Sequence, residues 1–154
     1  MDHHKKSVNK FTADDRFLSA IGRFIFEFSQ LEYTIKHHVA EQVGLKDEYF
    51  TPVMTHEFAV LCTIAETVLG PGMTGDRAER LKKLIDECRT LNEHRVHIVH
   101  GLWFVGREKG RLFPAPKGKI ETDVYYEDHN KVAELADLAK RLHNELPDIV
   151  YGFK

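Results

Sequence analysis

One apolar stripe near the N-terminus constrains the fold more than any other feature. Phe17, Ile21, Phe24, Phe28, Leu31, Ile35 and Val39 follow one another at steps of three or four residues. Such steps straddle the 3.6-residue turn, so all seven side chains fall on one side of a helix. The spacing predicts a helix of about thirty residues, opening at Asp14 and closed by Gly44. Asp14 and Asp15 suit its positive N-terminal end. A helix of that length runs the length of a bundle. Phe26 and Tyr33 fall off the stripe, which points to a second covered face suited to a dimer contact.

The remaining periodicity continues in the same style. A second helix is expected from Thr51-Pro52 or Thr55 to Leu69, with Phe58, Leu61, Cys62, Ile64, Ala65 and Val68 inward. Gly70-Pro71-Gly72 stops it. A third runs from Thr74 or Asp76 to Gly101, with Leu81, Leu84, Ile85, Cys88, Leu91, Val96 (or Arg95), Ile98 and Val99 keeping helical spacing. The last extends from about Asp128 to Pro147, with Val132, Leu135, Leu138, Ala139, Leu142 and Leu146 inward. Between the last two, residues 102–126 change character. Gly106 to Gly110 reads as a turn between extended Leu102–Val105 and Arg111–Phe113, and Val124–Tyr126 is a third extended piece. Trp103 is expected to pack this insertion on the helices. Residues 1–12 are polar and patternless, a frayed end. The expected fold is all-α: one domain over 1–154, an antiparallel up-down four-helix bundle with a small β-hairpin insertion before the last helix.

Composition narrows the function classes. With 154 residues the chain makes one ordinary domain. Its 24 acids and 22 Lys or Arg residues give a net charge of −2, so any polyanion site must be local. One local excess exists: Arg107, Lys109, Arg111, Lys117 and Lys119 face Glu108 alone between 101 and 120. Cys62 and Cys88 lie in apolar helical patterns and read as buried reduced thiols. No window suits a membrane span, and Met1-Asp2-His3-His4-Lys5-Lys6 has no apolar stretch behind its charges, so a cytoplasmic protein is expected.

Several chemistries are excluded by pattern. No Gly-rich phosphate loop, His-Glu-x-x-His or Cys-x-x-Cys occurs, and no Glu has a His three residues later, as di-iron bundles require. No cofactor or metal is expected. The dense polar run is Asn92-Glu93-His94-Arg95-Val96-His97-Ile98-Val99-His100. His94 reads as a solvated residue, and a metal held by His94, His97 and His100 lacks a fourth ligand. Arg95 lies among Leu91, Ile98 and Val99, so its guanidinium is partly buried and needs acceptors. His100 stands at a helix C-terminus, where an imidazole protonates more easily. Five residues span about 140° and 7.5 Å, a gap the Arg stem can cross to meet His100 at one phosphate.

Arg95-x-x-x-x-His100, late in a helix and followed by Gly101 and Trp103, resembles the signature of the HEPN (higher eukaryote and prokaryote nucleotide-binding) superfamily. The strings Phe28-Ser29-Gln30-Leu31-Glu32 and Leu91…His100-Gly101-Leu102-Trp103 are similar to one bacterial branch of it. The resemblance covers roughly residues 15–103 and the last helix, and leaves the insertion outside.

The resemblance implies metal-independent cleavage of single-stranded RNA at a homodimer interface, as in toxins with an antitoxin partner or in other defence systems. Carried over to this chain, Arg95 binds the scissile phosphate and His100 carries a proton, with one His100 from each subunit. The family prefers a polar residue directly after the Arg. Here Val96 stands there, so that supporting role falls to Asn92 or His97. Glu32 is a candidate partner for Arg95 across helices, and Arg107, Lys109 and Arg111 are candidates to track an RNA backbone. The other outcome is a non-catalytic HEPN-like RNA-binding or protein-interaction module.

Overall fold

The computed structural model describes residues 13–54, 57–105, 110–113, 126 and 128–152. Helix α1 spans Ala13–Gln42. Six of its seven stripe residues are buried and Ile21 is half-buried against the core, which is why the period appears so cleanly in the sequence. Gly44 ends it at φ +67°, a left-handed conformation that glycine adopts without steric cost, and Leu45 N donates to Ala40 O. Among the described residues four further helices follow: α2 (Asp47–Val53), α3 (Phe58–Leu69), α4 (Asp76–His100) and α5 (His129–Tyr151). The chain is an all-α bundle. Strands β1 (Leu102–Val105) and β2 (Gly110–Phe113) pair antiparallel, with Leu102 opposite Phe113. The expected frayed end 1–12, the turn after Val105 and most of the expected insertion lie outside the described residues.

The up-down arrangement expected from the sequence is not what forms. Phe17 meets His129, Arg23 pairs with Asp137, Thr34 meets His143, and Tyr151 donates to Glu41. Numbers rise together along both helices, so α1 and α5 lie parallel. Phe28 packs on Phe58, and Gln42 and Leu69 wall one cavity, so α3 also runs with α1. Helix α4 opposes them, through Arg80 with Glu145 and Arg141 with Glu87. The reason lies after α1. Residues 43–54 do not form a tight turn; α2 returns along α1, with Phe50 against Tyr33, and α3 begins back beside Phe28. In place of the single second helix expected from Thr51 or Thr55 there are two, α2 ending at Val53 and α3 beginning at Phe58, with Pro52 inside α2.

Helix α5 also departs from expectation, because it passes Pro147 instead of ending there. Proline removes one intrahelical donor. The continuation is held by Leu146 and Ile149, both fully buried, and by Arg77, whose Nε donates to Ile149 O at 2.7 Å and whose terminal nitrogen donates to Val150 O. Gly152 at φ +74° then closes the helix, its N–H on Asp148 O. Ala136 and Ala139 are fully buried on α5 and Ala20 and Ala40 are buried on α1, small residues that let the parallel helices approach closely.

The core joins Phe24, Leu31 and Ile35 of α1 to Leu61, Leu84, Ile85, Leu91 and Leu142, each at most 1% exposed. Leu138, expected inside, is half-buried. Cys62 and Cys88 are free and buried between α3 and α4. Their thiols share a hydrogen bond, which together with burial pushes the Cys88 thiol far above its ordinary range.

Candidate functional site

The last turns of α4 divide their side chains between two sides of the helix. His94 and Arg95 are adjacent, so about 100° separates them. His94 faces the chain that leads into α5: its Nδ1 shares a hydrogen bond with the hydroxyl of Tyr126, a buried residue. Burial, with the charge of His97, holds its pKa below the ordinary imidazole value, while Glu93 opposes. The solvated residue expected at position 94 is thus a half-buried, bonded one. Sequence spacing could not show this, because the partner lies 32 residues away. Trp103 extends the same contact. Its indole stacks at 11° on Tyr126, meets Phe17 edge-on, and donates from Nε1 to Ile98 O at 2.9 Å. That bond satisfies a carbonyl of the last helical turn, which has no partner within the helix.

Arg95 occupies the other side. Its Nε donates to Asn92 Oδ1 at 3.1 Å, one turn earlier, and its Cζ lies 5.5 Å from the centroid of the Phe28 ring. The distance is within cation–π range. The expected pairing with Glu32 does not form. Glu32 Oε1 instead holds Lys36 Nζ at 2.6 Å, one helical turn along α1. Both line a cavity of about 310 Å³ between α1 and α2, with Tyr33, Phe50 and Met54. A same-helix pair at four residues forms without crossing to another element, so it wins over the longer reach to Arg95.

Among the described residues, Arg95 is a half-buried arginine without a carboxylate partner, whereas Arg16 is exposed. Arg23, Arg80, Arg89 and Arg141 each face a carboxylate, and Arg77 faces helix carbonyls. Arg95 meets an uncharged amide and an uncharged ring. A half-buried guanidinium in that setting keeps its full positive charge available for an anion. His100 is the last residue of α4 and is exposed, with Gly101 N donating back to His97 O. His97 is half-buried beside His94. Val96, directly after Arg95, is 38% exposed, and Val99 is exposed as well.

Of the site residues expected from sequence, the structure brings Arg95 and Asn92 together and puts Glu32 elsewhere. Arg107 and Lys109 lie outside the described residues, and Arg111 is placed only by its backbone in β2. Phe28 and Tyr126 were not anticipated as partners of the motif. Among the described residues, no group of three or more His, Cys, Asp or Glu converges as metal ligands, and no helix is long and apolar enough to cross a membrane. No family model matches the chain, and no curated protein or solved structure matches it either.

Proposed function

We propose that this chain is a HEPN-like, metal-independent endoribonuclease acting on single-stranded RNA in the cytoplasm. The observation that supports this most is Arg95, half-buried, held by Asn92 and Phe28, and without a carboxylate partner among the described residues. In the reaction, the ribose 2′-OH attacks the adjacent phosphorus and the bond to the 5′ oxygen breaks. A 2′,3′-cyclic phosphate and a free 5′ hydroxyl result. Arg95 stabilises the charge that grows on the non-bridging oxygens. His100 accepts the 2′ proton or protonates the leaving oxygen, and two copies in a homodimer supply both roles. Exposed apolar residues support that dimer: Leu18, Ile25, Phe26 and Tyr33 on α1, Val96 and Val99 beside the motif. Arg107, Lys109 and Arg111 would follow the RNA backbone, and an antitoxin would act by covering Arg95 and His100.

A second reading is favoured by one observation. Val96 presents an exposed aliphatic side chain where the family carries a polar one, which suits an RNA-binding module without turnover. A cleavage assay in EDTA separates the two. The nuclease reading expects cleavage of single-stranded RNA and not DNA, with losses of about 10²-fold or more in Arg95→Ala and His100→Ala. RNA binding without cleavage, in the wild type and in Val96→Asn, selects the module. Undiminished cleavage by His100→Ala overturns the assignment of His100.

A further inference from the structure

We propose that Phe28 and Asn92 are positioning residues, which fix the Arg95 guanidinium as a preset receptor for one tetrahedral phosphate oxyanion. The inference rests on the anion-binding reading of Arg95, adds Phe28 to it, and gives Asn92 a defined contact at Nε. The guanidinium is confined on two sides. Asn92 Oδ1 occupies Nε at 3.1 Å, and Cζ lies over the Phe28 ring, 5.5 Å from its centroid. The ring itself is fixed in place: it is 3% exposed, 4.5 Å from the Phe58 ring and 5.9 Å from that of Phe24. A side chain with four rotatable bonds is thereby tied to the core through an aromatic contact on α1 and an amide on its own helix. The edge carrying the two terminal nitrogens remains, and that edge matches two oxygens of one phosphate.

The charge environment fits the same purpose. Both supports are neutral, so they orient the cation without cancelling it. Glu32, the acid expected to reach Arg95, has its carboxylate held by Lys36. Asn92 supplies from three residues before Arg95 the polar contact that Val96 cannot supply from the position after it. Preorganisation of this kind lowers the ordering cost of binding.

The test is a titration of the full-length protein with inorganic phosphate and with a short oligouridylate. Arginine Nε–Hε resonances and binding isotherms are followed in the wild type, Phe28→Leu, Asn92→Ala, Asn92→Asp and Arg95→Ala. In the wild type, the Arg95 Nε–Hε signal is displaced by the ring current of Phe28 and moves on adding phosphate. Phe28→Leu abolishes that displacement. Phe28→Leu and Asn92→Ala each weaken binding of both probes by about fivefold or more, the usual size of one lost cation–π contact or hydrogen bond. Asn92→Asp keeps Arg95 rigid but neutralises it, and weakens binding at least as much as Asn92→Ala. Should Phe28→Leu fail to fold, the two half-exposed Asn92 variants decide alone. Wild-type affinity in folded Asn92→Ala and Asn92→Asp, with binding lost in Arg95→Ala, overturns the positioning role and leaves Arg95 as the anion site. Unchanged affinity in Arg95→Ala overturns the anion reading itself.

Discussion

His94 Nδ1 and the Tyr126 hydroxyl share a hydrogen bond that ties the end of α4 to the chain entering α5. Tyr126 is buried and His94 half-buried, so loss of either partner removes a bond made largely away from water. His94→Ala and Tyr126→Phe should each cost about 1–3 kcal/mol of stability, and the double variant less than their sum. Thermal unfolding of the three variants checks this, and strict additivity would show that the bond contributes nothing of its own.

Acid should weaken the fold well before its carboxylates titrate. His38 and His94 both sit below the ordinary imidazole pKa. For His38 the causes are burial and then His37, with Glu41 opposing; for His94 they are burial and then His97. Below about pH 6.5 the unfolded chain therefore binds more protons than the folded one, so stability falls as pH falls through that range. Glu41 and Asp128, held low by hydrogen bonds from Tyr151 and Asn130, lose their contributions only at lower pH. Urea unfolding between pH 8 and 5.5 should show the decline, and replacing His94 should flatten it.

Arg77 carries the last turn of α5. Its guanidinium donates to the Ile149 and Val150 carbonyls from 72 and 73 residues away. Arg77→Ala should cost about 1.5–3 kcal/mol, as expected for hydrogen bonds from a charged donor. Amide exchange should quicken over the C-terminal turn while the middle of α1 stays protected. Uniform loss of protection would show that Arg77 supports more than this end.

The two thiols report on opening of the bundle. Cys62 and Cys88 are both fully buried, and the Cys88 thiol is hard to ionise. Neither should react with a thiol reagent in native buffer, and both should react once denaturant is added. Fast labelling of the native protein would show that α3 and α4 part readily.

The stripe of α1 was legible because one side of a long helix is buried and its period survives every turn. Helix direction was not legible. It depends on the path of the chain after α1, where Pro52 and Thr55 signal starts but give no route. Pro147 reads as a stop because local chemistry says so, and Arg77 reverses that from another helix. Partial burial of Arg95 could be read from Leu91 and Ile98 around it. Its ring partner could not, since Phe28 belongs to a stripe that core packing alone explains. Tyr126 escaped for a related reason: nothing in a lone tyrosine names a histidine 32 residues earlier.

The parallel pairing of α1 and α5 imposes a timetable on synthesis. Its contacts join residues 109 to 114 positions apart, and it is the most extensive helix–helix contact in the bundle. Closing so long a stretch of chain makes folding slow compared with a bundle of neighbouring hairpins. On the ribosome, the oily side of α1 emerges first and waits for its main partner until α5 has left the exit tunnel. Chains interrupted before residue 128 leave bare the part of that surface that α5 covers, a target for chaperones and proteases and a starting point for aggregation.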